Sequence, residues 1–222
     1  TPNCCVSFSL AMQILNKVLF WSKTYKNPMK QLVDSIDQAF QKMRTPKFLQ
    51  KEGLGGEIPF FIFPYKINNE PIIADEIKGL KNRLKNEGVR VLELNLYDIS
   101  IDILNDSGGV EKMVRLEKRQ NKRAGYFLKA LQSALNIQEV FIPYIQNEVE
   151  NKPHDLVFIT GVAPVYPYIR SHVILNNLHS ITDHVPTILF YPGEYTGKSM
   201  RLFDTLKNNN YYRAYNLNKY QL

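Results

Sequence analysis

Cysteine is almost missing from this chain of 222 residues: Cys4 and Cys5 stand side by side and there are no others. That excludes a disulfide framework. The four histidines, His154, His172, His179 and His184, show no H-E-x-x-H spacing, and no C-x-x-C pair exists, so no structural or catalytic zinc site is expected. Long apolar runs are lacking too. The stretch Val6 to Trp21 is broken by Ser7, Ser9, Gln13, Asn16 and Lys17, and nothing approaches the roughly 20 apolar residues that a bilayer-spanning helix requires. Neither the basic n-region nor the small-residue cleavage site of a secretory leader is evident. These absences lead to the expectation of a soluble, reduced, cytoplasmic protein with no membrane contact.

What is present is core-forming material. Apolar residues make up 44% and aromatic residues 12%, against 22% charged, which excludes a disordered or low-complexity chain. Leu10, Ile14, Val18, Trp21 and Tyr25 share one helical face, and Met29, Leu32, Val33, Ile36, Phe40 and Met43 repeat the period after Asn27-Pro28. Two N-terminal helices are therefore predicted. Ile58-Pro59-Phe60-Phe61-Ile62-Phe63 is too short for a helix and too continuous for a half-exposed strand, which is the pattern of a strand buried on both faces of a parallel sheet. The spacing predicts a helix over 72–87 closed by Gly88, a strand over 89–94, a helix over 97–105, and one or two more helices between Val110 and Glu150. Further strands are predicted at Leu156–Ile159, at Thr187–Tyr191 with a stop at Pro192-Gly193, and at Tyr211–Tyr215. Helices are predicted from about Tyr166 to His179 and from Ser199 to Leu206. The alternation implies an α/β fold: an open, mostly parallel sheet of about five strands with helices on both faces and N-terminal helices added. The expected division is a helical extension over 1–50 and a single α/β domain over 51–222, with a helical insertion at about 97–150.

Several patterns approach a known chemistry and miss. Gly193-Glu-Tyr-Thr-Gly197-Lys198-Ser199 follows a strand as a phosphate-binding loop would, but one residue too few separates the glycines and Pro192 has no N–H to offer. After the first strand, where such a loop belongs, Pro64-Tyr65-Lys66-Ile67-Asn68-Asn69 contains no glycine. Gly53-Leu54-Gly55-Gly56 precedes a strand instead of following one, so it is a turn and not a dinucleotide fingerprint. Ser171, Ser180, His172, His179 and Asp183 are the residue types of a serine nucleophile site, without a G-x-S-x-G elbow. No catalytic residue, cofactor or metal is assigned.

Two stretches fit binding. Tyr166, Tyr168, Arg170 and His172 sit just beyond a strand's carboxyl end, where open parallel sheets place their ligands; with Tyr195 they are the aromatic and arginine types that anchor protein interfaces. The plainer reading is that Arg170 pairs and His172 packs structurally. The second stretch is basic. The chain carries a net charge of +7, and Glu111 to Lys129 holds seven Lys/Arg against two Glu. Arg115, Lys118, Arg119, Lys122 and Arg123 share a helical face that fits phosphate contacts, a docking protein, or solvent alone.

Gly53-Leu-Gly-Gly-Glu-Ile-Pro-Phe-Phe-Ile-Phe63, Thr160-Gly-Val-Ala-Pro-Val-Tyr-Pro-Tyr-Ile-Arg-Ser-His172, Leu175-Asn-Asn-Leu178, Phe190-Tyr-Pro-Gly-Glu-Tyr-Thr-Gly197, Leu202-Phe203 and Tyr211-Tyr-Arg-Ala214 resemble, in order, the blocks of the BrxB family of bacteriophage exclusion (BREX) defence systems. The resemblance runs from about Gln31 to Leu217, with Ala163 where the family usually has glycine. It implies membership of an apparatus that includes a site-specific DNA methyltransferase, a large AAA-type ATPase and PglZ, an alkaline-phosphatase-like protein. It also implies a P-loop-NTPase-like sheet lacking the phosphate-binding loop, and it brings no assigned catalytic residues to carry over. The expected function is a non-catalytic adaptor that binds the PglZ-like protein and links it to the ATPase or methyltransferase. The alternative is a nucleic-acid-contacting module that uses the basic helix.

Overall fold

Strand β1 (Phe60–Tyr65) is apolar up to its last residue and is covered on both sides. Because successive side chains of a strand alternate between faces, Phe60 and Ile62 enter one apolar cluster while Phe61, Phe63 and Tyr65 enter another. The computed structural model describes residues 29–52, 58–120, 125–178, 181–208 and 214–221. Around β1 lie β2 (Val91–Asn95), β3 (Leu156–Thr160), β4 (Thr187–Tyr195) and β7 (Tyr215–Asn216), all parallel, in the order β2-β3-β4-β1-β7. Strands β5 (Met200–Leu202) and β6 (Leu206–Asn208) form an antiparallel extension at the end of β4.

The chain leaves β1 for the far edge strand β2 and then steps back through β3 to β4. Right-handed crossovers in opposite directions must lie on opposite faces, and the helices divide accordingly. Helices α1 (residues 29–43), α2 (Pro46–Leu49) and α3 (Glu70–Asn86) cover one face, with Leu32, Ile36, Phe40, Met43, Phe48, Ile73, Ile77, Leu80 and Leu84 buried in its cluster. On the other face lie α4 (Leu96–Asp106), α5 (Val110–Gln120), α6 (Tyr126–Ala134), a π-helical turn (Ile137–Phe141), α7 (Ile142–Asn151), α8 (Val162–Val165) and α9 (Ser171–Leu178). Their residues Leu96, Ile103, Met113, Phe141, Ile145, Val165 and Leu175 fill the second cluster.

The first face is closed by an aromatic group. Phe48 meets Phe61 at 4.7 Å between ring centroids, and Tyr220 meets Phe61 at 5.1 Å and Tyr215 at 5.4 Å. Lys42 Nζ donates to the Leu217 carbonyl at 2.7 Å, so α1 is tied to the last described residues. Arg83 of α3 stacks over the Phe40 ring at 4.1 Å and pairs with Asp37 at 2.5 Å.

Four expectations need correction. Strand β4 does not stop at Pro192. It runs in register with β1 through Pro192 opposite Tyr65, and from Gly193 onward pairs antiparallel with β5 instead. The missing proline N–H falls where one ladder gives way to the other. Residues 199–206 are therefore a hairpin and not a helix. Residues 166–170 are not helical: α9 begins at Ser171, because Pro167 disfavours the α conformation at Tyr166. Among the described residues between Val110 and Glu150 there are three helices and a π-helical turn, more than the one or two expected. The last strand is Tyr215–Asn216; Tyr211 to Arg213 lie outside the described residues, as do residues 1–28 and Gly53 to Glu57.

Candidate functional site

Neighbouring strands β1 and β4 send the chain in opposite directions, so the crevice beyond their carboxyl ends is the switch point at which open α/β sheets bind ligands. An open cleft of about 630 Å³ lies there, lined by Pro64, Tyr65, Lys66, Glu194, Thr196 and Lys219 among others. A nucleotide-binding sheet would point a helix N-terminus and free backbone amides into this space. Here β1 passes through a 3-10 turn (Ile67–Asn69) into α3, whose first turn contains Glu70 and a proline. The Tyr65 hydroxyl donates to Glu70 Oε2 at 2.6 Å. Glu70 thus places a negative charge at the positive end of α3, which suits the helix and repels a phosphate. Burial first, and then the Glu70 charge, push the Tyr65 phenol well above its ordinary value.

The near-miss phosphate loop is a hairpin turn. Thr196 Oγ1 accepts from the Lys198 and Ser199 amides, and the Thr196 amide donates to the Ser199 carbonyl at 3.1 Å, so the turn's own groups use its donors. Gly193 has φ +144°, and a Cβ there would overlap the Arg201 carbonyl oxygen. The glycine serves the close approach of β5.

The tyrosine-rich loop between α8 and α9 lies at the same end of the sheet. Tyr166 is 38% exposed and meets Phe203 edge-on at 5.6 Å, with a cis Tyr166–Pro167 peptide. Tyr168 is half-buried against the second cluster and donates to the Pro164 carbonyl at 3.2 Å; burial, then neighbouring Tyr97, push its phenol up. Arg170 is exposed. The side chain of His172, together with His179 and Ser180, lies outside the described residues. Tyr195 belongs elsewhere. It is 4% exposed, its hydroxyl donates to the Ala214 carbonyl at 2.7 Å, and its own carbonyl accepts from Asn216 Nδ2 at 2.8 Å. It clamps β4 to the chain around β7.

Of the basic residues, Arg115 and Lys118 are exposed on α5. Arg119 is on the same helix with its side chain outside the described residues, and Lys122 and Arg123 are outside them altogether. The buried side of α5 is narrow, with Met113 buried and Leu116 half-buried against the second cluster. Sequence reasoning missed two apolar residues in this region, Val110 (37% exposed) and Val114 (40%), and it also missed Tyr97 (42%) beside the tyrosine loop; Tyr126, for which the sequence leaves core packing and base stacking equally open, is 39% exposed. Valines four residues apart on a charged helix were the available signal. Among the described residues no group of His, Cys, Asp and Glu could hold a metal ion, and no helix is long and apolar enough to cross a membrane.

A family model described as "BREX protein BrxB" matches residues 92–217. A BREX protein BrxB of Bacillus cereus (strain H3081.97) is 37% identical over 193 residues, which are 85% of this chain and 98% of that protein. One from Escherichia coli O9:H4 (strain HS) is 29% identical over 182 residues, 82% of this chain and 89% of the relative. No solved structure matches.

Proposed function

Since the chain belongs to the BrxB family and is thereby a component of a BREX phage-defence system, we propose that it acts there as a non-catalytic adaptor, binding the PglZ-like protein and linking it to the ATPase or methyltransferase. One observation carries this reading: at the switch-point crevice, where such a sheet would do chemistry, α3 begins with Glu70, whose carboxylate accepts from the Tyr65 hydroxyl, instead of with free amides. We read the sheet accordingly as a P-loop-NTPase-like scaffold turned to assembly. Tyr166, Tyr168 and Arg170 at the sheet's carboxyl end supply residue types that anchor interfaces. Co-expression with the PglZ-like protein is expected to give a complex that survives high salt during purification. Recovery of this chain alone, with none of the system's proteins bound, would end the adaptor reading.

Exposed Arg115 and Lys118 favour a second reading, contact with nucleic acid. Its signature is a linear fall of log affinity with log salt, at a slope set by the phosphates contacted. Duplex binding that is unchanged in the R115E/K118E variant would remove it.

A further inference from the structure

Helix α5 carries more than charge on its outer side. Val110, Val114 and Lys118 stand four residues apart, forming one row along the helix, and Glu111 and Arg115 form the next row. All five are exposed. Met113 and Leu116 already hold the helix to the second cluster, so the two valines are not needed for that packing. Valine is also a poorer helix former than the straight-chain residues that usually occupy a solvated face. The neighbouring helix repeats the pattern: α6 has Phe127, Leu128 and Leu131 only half-buried, no fully buried residue, and Tyr126 exposed at its start. The α5–α6 pair therefore shows apolar side chains beside cations, and it does so outside the sheet.

We infer that this surface is the seat of an acidic amphipathic helix of a partner protein, with apolar residues of that helix on Val110 and Val114 and its carboxylates on Arg115 and Lys118. Charge complementarity selects this occupant. The chain's own residues 1–28 contain Lys17, Lys23 and Lys26 and no Asp or Glu, so like charges would oppose their docking here. A second copy, with a net charge of +7, is also a poor match. A nucleic acid would satisfy the cations, but it would leave the valines without apolar partners. The inference rests on the adaptor reading and gives it a surface and a partner chemistry.

The test uses the full chain and a fluorescein-labelled peptide of about 20 residues, long enough to form a helix, with leucines on one face and glutamates flanking them. A scrambled peptide of the same composition and a DNA duplex are the comparison ligands. The expected result is that the amphipathic peptide binds at least tenfold more tightly than the scrambled one. V110S/V114S, which leaves the net charge alone, should weaken peptide binding tenfold or more without altering duplex binding, and R115Q/K118Q, which removes the cations without adding like charge, should flatten the peptide's salt dependence. Equal binding of both peptides, indifference to V110S/V114S, or binding of the duplex alone would each overturn the inference. The same variants in co-purification separate the two readings. A complex with the PglZ-like protein that tolerates both double variants removes this surface and keeps the adaptor. No complex with any version removes the adaptor, and the peptide measurement then decides the surface by itself.

Discussion

At Gly161 the absence of a side chain decides whether two loops can meet. The residue has φ +71°, and a Cβ would overlap Asn95 Oδ1, the atom that accepts from the Tyr97 amide at 3.0 Å and caps α4. Gly161→Ala therefore combines a left-handed backbone penalty with a displaced cap, together about 2–3 kcal/mol. In a chain of this size that lowers Tm by about 5–10 °C in a thermal melt. A second residue reports pH. Asp155 receives hydrogen bonds from Arg90 Nε at 2.9 Å and Nη2 at 2.6 Å, and these hold its carboxyl below the usual carboxylate value. A depressed native pKa contributes stability above the unfolded value of about 3.9, and that contribution is lost as pH falls through the native value. The Tm gap between the wild type and Asp155→Asn should be small and constant from pH 8 to 5, and should close below about pH 4.

Among elements, the head of α3 is the place where sequence and structure meet most directly. The lack of glycine after β1 was legible, and it already argued against a phosphate loop; the hydrogen bond from Tyr65 to Glu70 was not, because it joins a strand end to a helix start across a 3-10 turn. Tyr65→Phe removes a hydrogen bond to a charged acceptor and should cost about 1–2 kcal/mol, read as a fall in the midpoint of a denaturant titration. Buried strands and long periodic helices could be read because both of their faces, or one clear face, are apolar. The hairpin of β5 and β6 could not be read. Met200 with Phe203 and Leu202 with Leu206 stand three and four residues apart as on a helix, while Met200 and Leu202 alternate as on a strand, and the choice is settled by β4 continuing past Pro192 to offer an edge. Nor was the place of Tyr195 legible: its residue type suggests an interface, while the carbonyl its hydroxyl meets, that of Ala214, is 19 residues away in sequence. The valines of α5 were visible but were hidden by the charges around them.

For the molecule as a whole, the segment before β1 is divided in its role. Leu32, Ile36, Ala39, Phe40 and Met43 of α1 are buried in the same cluster as the sheet's first face. At about 1.5–3 kcal/mol for each large side chain, their burial contributes gross stabilisation of order 10 kcal/mol, comparable with the net stability of an ordinary domain. Deleting residues 1–45 should therefore give an insoluble or molten product. Deleting residues 1–28, which leaves all of α1's described contacts in place, should give a cooperative thermal melt. A partner lost only with the longer deletion would then report unfolding and not a docking site.

The placement of β1 between β4 and β7 also sets a timetable. Its two neighbours come from the last third of the chain, and the ring cluster around Phe61 includes Tyr215 and Tyr220. Until residues 187–195 have been made, β1 has no strand neighbour on either side, and residues 60–65 are an apolar ribbon without a sheet to join. Closing the sheet around β1 therefore waits for segments more than 120 residues further along the chain, and any surface that depends on the closed sheet comes into being only after they have been made.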